Sequence, residues 1–190
     1  MTLDFRALWE VALPYHQFVQ EAASNHDLWA GMYRIARIPD WALDAARSTG
    51  TKHHLLVLAE DWCGDGTNTI PYLAKLADQS RSQEVRVLRR DEHPEVMDRY
   101  LTDGARSIPI VIVLDRDFRE LGHWGPRPVT LQAWVREARQ SVDRAKLYPQ
   151  IRRWYARDKG ESTLREVLAL LERKPSVISR QPSAEVLRTG

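Results

Sequence analysis

The chain has 190 residues, of which 43% are hydrophobic and 28% are charged, and its formal net charge is +2. This composition is typical of a globular protein, and the length allows one sizeable core. The near-balanced charge and the lack of a basic stripe interleaved with aromatic residues predict no nucleic-acid binding. No apolar run approaches the roughly 20 residues of a membrane-spanning helix, and no leader-like segment begins the chain, so we expect no membrane association.

Residues 1–50 have the apolar periodicity of helices. Three successive stripes recur at helical spacing before Pro39, and residues 41–47 read as a short fourth helix. We expect the aromatic residues of these stripes to form packing surface rather than a ligand pocket. The segment is therefore predicted to be an N-terminal helical extension.

From about residue 52 the pattern changes to alternating strands and helices. Strands are predicted over residues 54–59, 85–89, 110–114 and 120–124, and helices over residues 67–77 and 94–101. This spacing indicates a βαβ unit followed by a hairpin, within a core domain over residues 51–147.

Further helices are predicted after the last strand. One helix is expected over residues 130–146, and a C-terminal helical segment over residues 148–174. In that segment Thr163 and Glu166 have the Thr-x-x-Glu spacing of a capping box. Residues 175–190 are expected to be a loose tail.

The only cysteine, Cys63, lies where the helix after the first core strand should begin. It cannot form an intramolecular disulfide, and a cytoplasmic protein is the simplest expectation. A thiol at a helix N-terminus is a candidate nucleophile, but the helix lowers its pKa by less than about one unit, and Asp61 and Asp65 oppose ionisation. We expect a modestly lowered pKa; the alternative is an inert, half-buried cysteine.

Three separated segments resemble the thioredoxin superfamily over residues 52–146. They are Trp62-Cys63-Gly64-Asp65-Gly66, which resembles the Trp-Cys-Gly-Pro-Cys loop, Asp91-Glu92-His93-Pro94, and the segment that ends in Ile108-Pro109. The resemblance implies an α/β fold: a thioredoxin-like core with a central four-strand mixed sheet flanked by helices, with the N-terminal helical extension and the added C-terminal helices around it.

A narrower resemblance is to a bacterial thioredoxin-like subfamily that has helices before the core and a Trp-Cys-x-Asp loop. It is carried by residues 60–65 and 90–92 and by Trp124-Gly125-Pro126-Arg127-Pro128. In this last loop we expect Arg127 to form a structural ion pair, with a neighbour such as Asp91, rather than to bind an anion.

The superfamily resemblance implies a role for each matched residue. Cys63 would be the nucleophile and Trp62 the partner-docking surface beside it, with Gly64 and Asp65 in the same docking loop. Pro109 would follow a cis peptide bond and face the thiol. Ile108 would pair its backbone with an extended substrate, which is a form of strand addition.

The chain departs from the superfamily pattern at two positions. Gly66 stands where the second, resolving cysteine would be, so the resemblance implies monothiol exchange with protein or small-molecule disulfides. The cycle then needs glutathione, another protein thiol or a second copy of the chain. Val57 stands where the family has a buried acid, which leaves Glu60 and Asp61 as candidate proton acceptors.

Other interpretations are left open by the sequence. The protein could be a non-catalytic binding module that uses a groove between Trp62 and Pro109, or a dimer linked through Cys63 on oxidation. Its oligomeric state is open. We expect no metal site, because the adjacent His53 and His54 point to opposite faces of a strand.

Overall fold

The computed structural model describes residues 3–173. The predicted tail over residues 175–190 lies outside them. The part of the chain before the sheet centre contains α1 (Phe5–Val11), β1 (Leu13–Pro14), α2 (Tyr15–Gln20), α3 (His26–Ile35) and α4 (Asp40–Ser48). The remainder contains β2 (His53–Ala59), α5 (Gly64–Ser80), β3 (Gln83–Arg89), a 3₁₀ turn (Arg90–Glu92), α6 (Pro94–Met97), β4 (Ile110–Leu114), β5 (Glu120–Trp124), α7 (Val129–Ala138), α8 (Arg144–Asp158) and α9 (Glu161–Leu171).

The predicted α/β class is confirmed, with a mixed sheet of strand order β1-β3-β2-β4-β5. The β2–β3 pair is parallel, and the β2–β4, β4–β5 and β1–β3 pairs are antiparallel. Within residues 3–173 the sheet has five strands, whereas the sequence predicts four. The additional strand, β1, has only two residues and lies in the segment that the sequence predicts to be helical. Its proline is tolerated because β1 is at the edge of the sheet, where the missing N–H removes no hydrogen bond between strands.

Both faces of the sheet are covered. Along β2, Leu55 and Val57 belong to the larger core cluster, and Leu56 and Leu58 belong to a second cluster on the opposite face. This alternation follows from the two-residue period of a strand, and it explains why β2 is a continuous apolar run. The buried side chains of α2 to α5 and α9 pack in the larger cluster, and those of α1 and α6 in the second.

Three helix predictions are corrected by the structure. The expected helix over residues 130–146 is two helices, because α7 ends at Ala138 and Asp143 begins α8 by accepting a hydrogen bond from the Ala145 N–H. The helix expected over residues 94–101 ends at Met97. The capping box is also wrong: α9 begins at Glu161, after Gly160, and Thr163 is buried inside the helix.

Helix α9 completes the main core although it was predicted as an added element. Its residues Leu164, Val167 and Leu171 belong to the larger cluster, which also contains residues of β4 and β5. Within residues 3–173, no helix has the length and apolarity needed to cross a membrane.

Candidate functional site

Cys63 lies between the end of β2 and the start of α5, where it is the N-cap residue. Its Sγ accepts a hydrogen bond from the Gly66 N–H at 3.3 Å, and its S–H donates to the Ile108 carbonyl at 3.4 Å. The residue is only 6% exposed. The strand–turn–helix order predicted from the sequence thus positions the thiol at the helix N-terminus, and the loop before β4 supplies its other partner.

The thiol is held in its protonated form. Burial raises the pKa of Cys63 to about 11, and the nearby Asp65 carboxylate adds to that rise, whereas the Gly66 N–H and Arg127 oppose it. The prediction of a modestly lowered pKa is therefore wrong. Removing a thiolate from water outweighs the small contribution of one helix N-terminus.

Ile108 and Pro109 form the edge that faces Cys63. Their peptide bond is cis, and both residues are buried. The Ile108 carbonyl is bonded to the thiol, whereas its N–H has no acceptor within residues 3–173. An unpaired amide at a strand-like edge is what an extended polypeptide needs for backbone pairing.

The loop over residues 124–128 packs directly behind this edge. Gly125 has φ +127°, and a Cβ there would stand 2.2 Å from the carbonyl oxygen of Pro109. Only glycine fits this close approach of two backbones. The Gly125–Pro126 peptide bond is also cis.

Arg127 forms the predicted structural ion pair, but with Asp65 rather than Asp91. Its Nε donates to Asp65 Oδ1 at 3.0 Å, and the Tyr155 hydroxyl donates to the same oxygen at 2.9 Å. The two charged side chains are only 9% and 12% exposed. The Asp65 carboxylate is therefore occupied inside the molecule, whereas Asp91 is bonded to Arg90.

The two candidate proton acceptors have other partners. Glu60 accepts a hydrogen bond from the Asp91 N–H at 2.8 Å, and burial raises the pKa of Glu60. Asp61 accepts from the backbone N–H groups of Ala23 and Ser24 at 2.8 and 3.0 Å. Neither carboxylate is hydrogen-bonded to the thiol, so the structure gives both a role in fixing the loops around the site.

The loop between β2 and α5 exposes Trp62 to solvent, and Gly64, the first residue of α5, is exposed as well. Trp62 is 49% exposed, and the Arg90 guanidinium lies 5.0 Å from its ring centroid. Arg90 also donates to the carbonyl of Arg106, in the segment that leads to Ile108. An exposed tryptophan next to the thiol is therefore available for contact, and Arg90 connects it to the Ile108 segment.

The adjacent histidines serve packing. His54 stacks on Phe118 with ring centroids 4.2 Å apart, and His53 is buried. Over the described part of the chain, no three His, Cys, Asp or Glu residues are grouped closely enough to hold a metal ion.

Two residues of the site were missed from the sequence. Tyr155 comes from α8, and its bond to Asp65 joins residues 90 positions apart. Trp29 comes from α3, is fully buried, and donates its Nε1–H to the Asp61 carbonyl at 2.9 Å. The only available signal was an apolar stripe for Trp29, and nothing distinguishes Tyr155 in the sequence.

The site as a whole is one thiol at a helix N-terminus, facing a cis-proline edge and flanked by an exposed tryptophan. The thiol is chemically able to attack a disulfide after it loses its proton. The unpaired Ile108 N–H can bind an extended segment.

Comparisons with known proteins agree with this architecture. A crystal structure, at 1.5 Å, of a protein of unknown function from Pseudomonas aeruginosa is similar with a TM-score of 0.73 and 19% identity, covering 90% of this chain and 98% of that one. The crystal structure of an HIV epitope scaffold is similar with a TM-score of 0.69 and 19% identity, with the same coverage. At such identity the likeness shows the fold alone. No curated protein matches the chain.

A family model described as thioredoxin matches residues 12–140. The match begins inside the N-terminal helical segment and continues through α7, so it includes the thiol loop, the cis-proline edge and most of the helices before them. The chain belongs to the thioredoxin family.

Proposed function

We propose that this protein carries out monothiol thiol–disulfide exchange through Cys63, on disulfides presented in an extended segment that docks on Ile108. One observation carries the proposal: the residue whose N–H is free to pair with a partner is also the residue whose carbonyl accepts the hydrogen bond from the thiol, at 3.4 Å. Docking at Ile108 therefore brings a partner's disulfide beside Sγ. The exposed Trp62 supplies further contact surface.

The proposed exchange balances as a two-electron displacement. The Cys63 S–H loses its proton to solvent, and the thiolate attacks one sulfur of the partner's disulfide. The Cys63–partner S–S bond forms while the partner's S–S bond breaks, and the leaving sulfur takes a proton. An external thiol of the glutathione class then attacks the mixed disulfide and releases Cys63.

Without a bound partner, Cys63 should react slowly with disulfides, because little of the thiol is ionised. With a pKa of about 11, the thiolate fraction of Cys63 at pH 7 is about 10⁻⁴, against about 10⁻² for an ordinary pKa near 9. The more basic thiolate is a better nucleophile and recovers about tenfold, because nucleophilicity rises with a Brønsted coefficient of about 0.4–0.5. About a tenfold deficit remains, so a docked partner must compensate for it.

A second candidate function is a non-catalytic binding module that uses the same edge. The burial and the raised pKa of Cys63 favour it, because both keep the thiol unreactive. In this case the thiol serves only as the hydrogen-bond donor that orders Ile108.

Mixed-disulfide trapping separates the two functions. The native protein is incubated with peptides that contain a disulfide in an extended segment, and adducts at Cys63 are counted by intact mass. The Cys63→Ser variant is the matched control, because its hydroxyl can still donate to Ile108. Adducts on the wild-type protein support exchange. Equal peptide binding by both proteins without any adduct supports the binding module and refutes exchange.

A further inference from the structure

The backbone geometry at Cys63 and Gly66 would allow a disulfide between these two positions. A Cβ built on Gly66 would stand 3.5 Å from the Cβ of Cys63. Disulfide-bonded cysteines have Cβ atoms about 3.5–4.5 Å apart. The helical turn from Cys63 to Gly66 would therefore allow an internal disulfide if nothing else occupied the space.

A side chain from another helix occupies it. The same Cβ would stand 3.0 Å from Cη2 and 3.3 Å from Cζ2 of Trp29, which are both closer than ordinary contacts. Trp29 is fully buried and donates its Nε1–H to the Asp61 carbonyl at 2.9 Å. Its ring packs edge-on against Phe18, with the ring centroids 5.3 Å apart. A ring held in this way cannot move aside without disturbing a close-packed core.

We infer that Trp29 is the residue that keeps a resolving thiol out of position 66, so that a cysteine placed there would not pair readily with Cys63. Its six-membered ring lies against the place where the Cβ of such a cysteine would stand. In the native chain Cys63 is the only cysteine, so every disulfide it forms is intermolecular. The functional meaning of this inference rests on the proposed exchange. The mixed disulfide is then broken only by an external thiolate, which forms a new S–S bond with the partner's sulfur and releases the Cys63 sulfur, which takes a proton.

The test restores the missing thiol with and without the obstructing ring. The variants are Gly66→Cys, Trp29→Phe and the double variant, because phenylalanine stays apolar but lacks the part of the indole that reaches Gly66. Each is equilibrated in oxidised and reduced dithiothreitol, and free thiols are counted by mass after alkylation. We expect the disulfide between Cys63 and the introduced thiol to be at least about fivefold more favoured in the double variant than in Gly66→Cys, which corresponds to the low end of the free-energy cost of overpacking a core.

A second comparison, which introduces no thiol, tests the same contact if a cysteine variant does not fold. Gly66→Ala adds only the Cβ, and alanine is otherwise favoured over glycine inside a helix. We expect Gly66→Ala to lower the midpoint of urea unfolding in the wild-type background and to raise it in the Trp29→Phe background. Equal disulfide formation in both cysteine variants, or a stabilising Gly66→Ala in the wild-type background, would overturn the inference.

Failure of the exchange function gives a different result. If wild-type Cys63 never forms adducts with partner disulfides while only the double variant oxidises, the exchange proposal fails and the steric role of Trp29 stands. If the wild-type protein forms adducts and Gly66→Cys oxidises as readily as the double variant, exchange stands and the role of Trp29 fails.

Discussion

The pH dependence of Cys63 alkylation tests the structure most directly. Burial raises its pKa from about 9 to about 11, so the thiolate available at pH 7 is about 100-fold scarcer than in the unfolded chain. After the gain in nucleophilicity, alkylation of the native thiol should be at least about tenfold slower than that of the urea-unfolded chain at the same pH. Shielding of the 6% exposed residue slows it further.

The assay is reaction with iodoacetamide between pH 6 and 11, with adducts counted by intact mass. No other cysteine contributes, because Cys63 is the only one in the chain. The expected result is a rate that still rises above pH 9. A plateau below about pH 8.5, with rapid reaction at neutral pH, would refute the argument that burial dominates the helix N-terminus.

The same shift predicts a loss of stability at high pH. Because the folded pKa is raised above the unfolded one, the contribution is fully present below about pH 9 and is lost as the pH rises through about 11. Two pKa units correspond to about 2.7 kcal/mol, an order-of-magnitude figure. The free energy of unfolding of the wild-type protein should therefore fall relative to that of Cys63→Ser, which has no thiol to titrate, over this range. A constant difference between the two would contradict the raised pKa.

Three substitutions give further expected outcomes. Arg127→Ala leaves the buried Asp65 carboxylate without its cation and should lower the free energy of unfolding by about 3–5 kcal/mol in urea titrations; a loss below about 1 kcal/mol would show that the pair is not structural. Trp62→Ala should change stability by less than about 1 kcal/mol, because the ring is half exposed, yet reduce adduct formation with docked disulfide peptides; unchanged adduct formation would remove Trp62 from the docking surface. Gly125→Ala should cost at least about 3 kcal/mol, because its Cβ would collide with the Pro109 carbonyl, and a fully stable variant would contradict that contact.

Local sequence patterns were sufficient to predict the central strand of the sheet and the helix that follows it. The apolar run of β2 and the turn that follows it predict a strand, a thiol and a helix in that order, and the structure has them as His53–Ala59, Cys63 and Gly64–Ser80. The short strand β1 was missed because two residues carry no periodicity. The start of α9 differs from the prediction because the N-cap is Gly160, which has φ +80° and lies so close to the Tyr72 ring that a Cβ would collide with it.

The partners of buried charges could not be read from the sequence. An ion pair for Arg127 was predicted correctly as a type, but its partner is Asp65, which is 62 residues away along the chain. Asp91 is closer to Arg127 in sequence and is also an aspartate, yet its carboxylate accepts hydrogen bonds from Arg90. Which of two carboxylates pairs with an arginine depends on which loops are adjacent in the folded protein, and this cannot be read from local sequence.

Periodicity was enough for the α/β class, the resemblance of three motifs implied the thioredoxin-like fold, and the sequence shows one thiol without a second. The state of that thiol depends on the packed molecule. Its desolvation comes from packing around the site, and its S–H donates a hydrogen bond to the carbonyl of Ile108, 45 residues along the chain. Trp29, from α3, fills the space beside Gly66. Burial is a property of what packs around a residue, and here the surrounding groups come from distant parts of the chain.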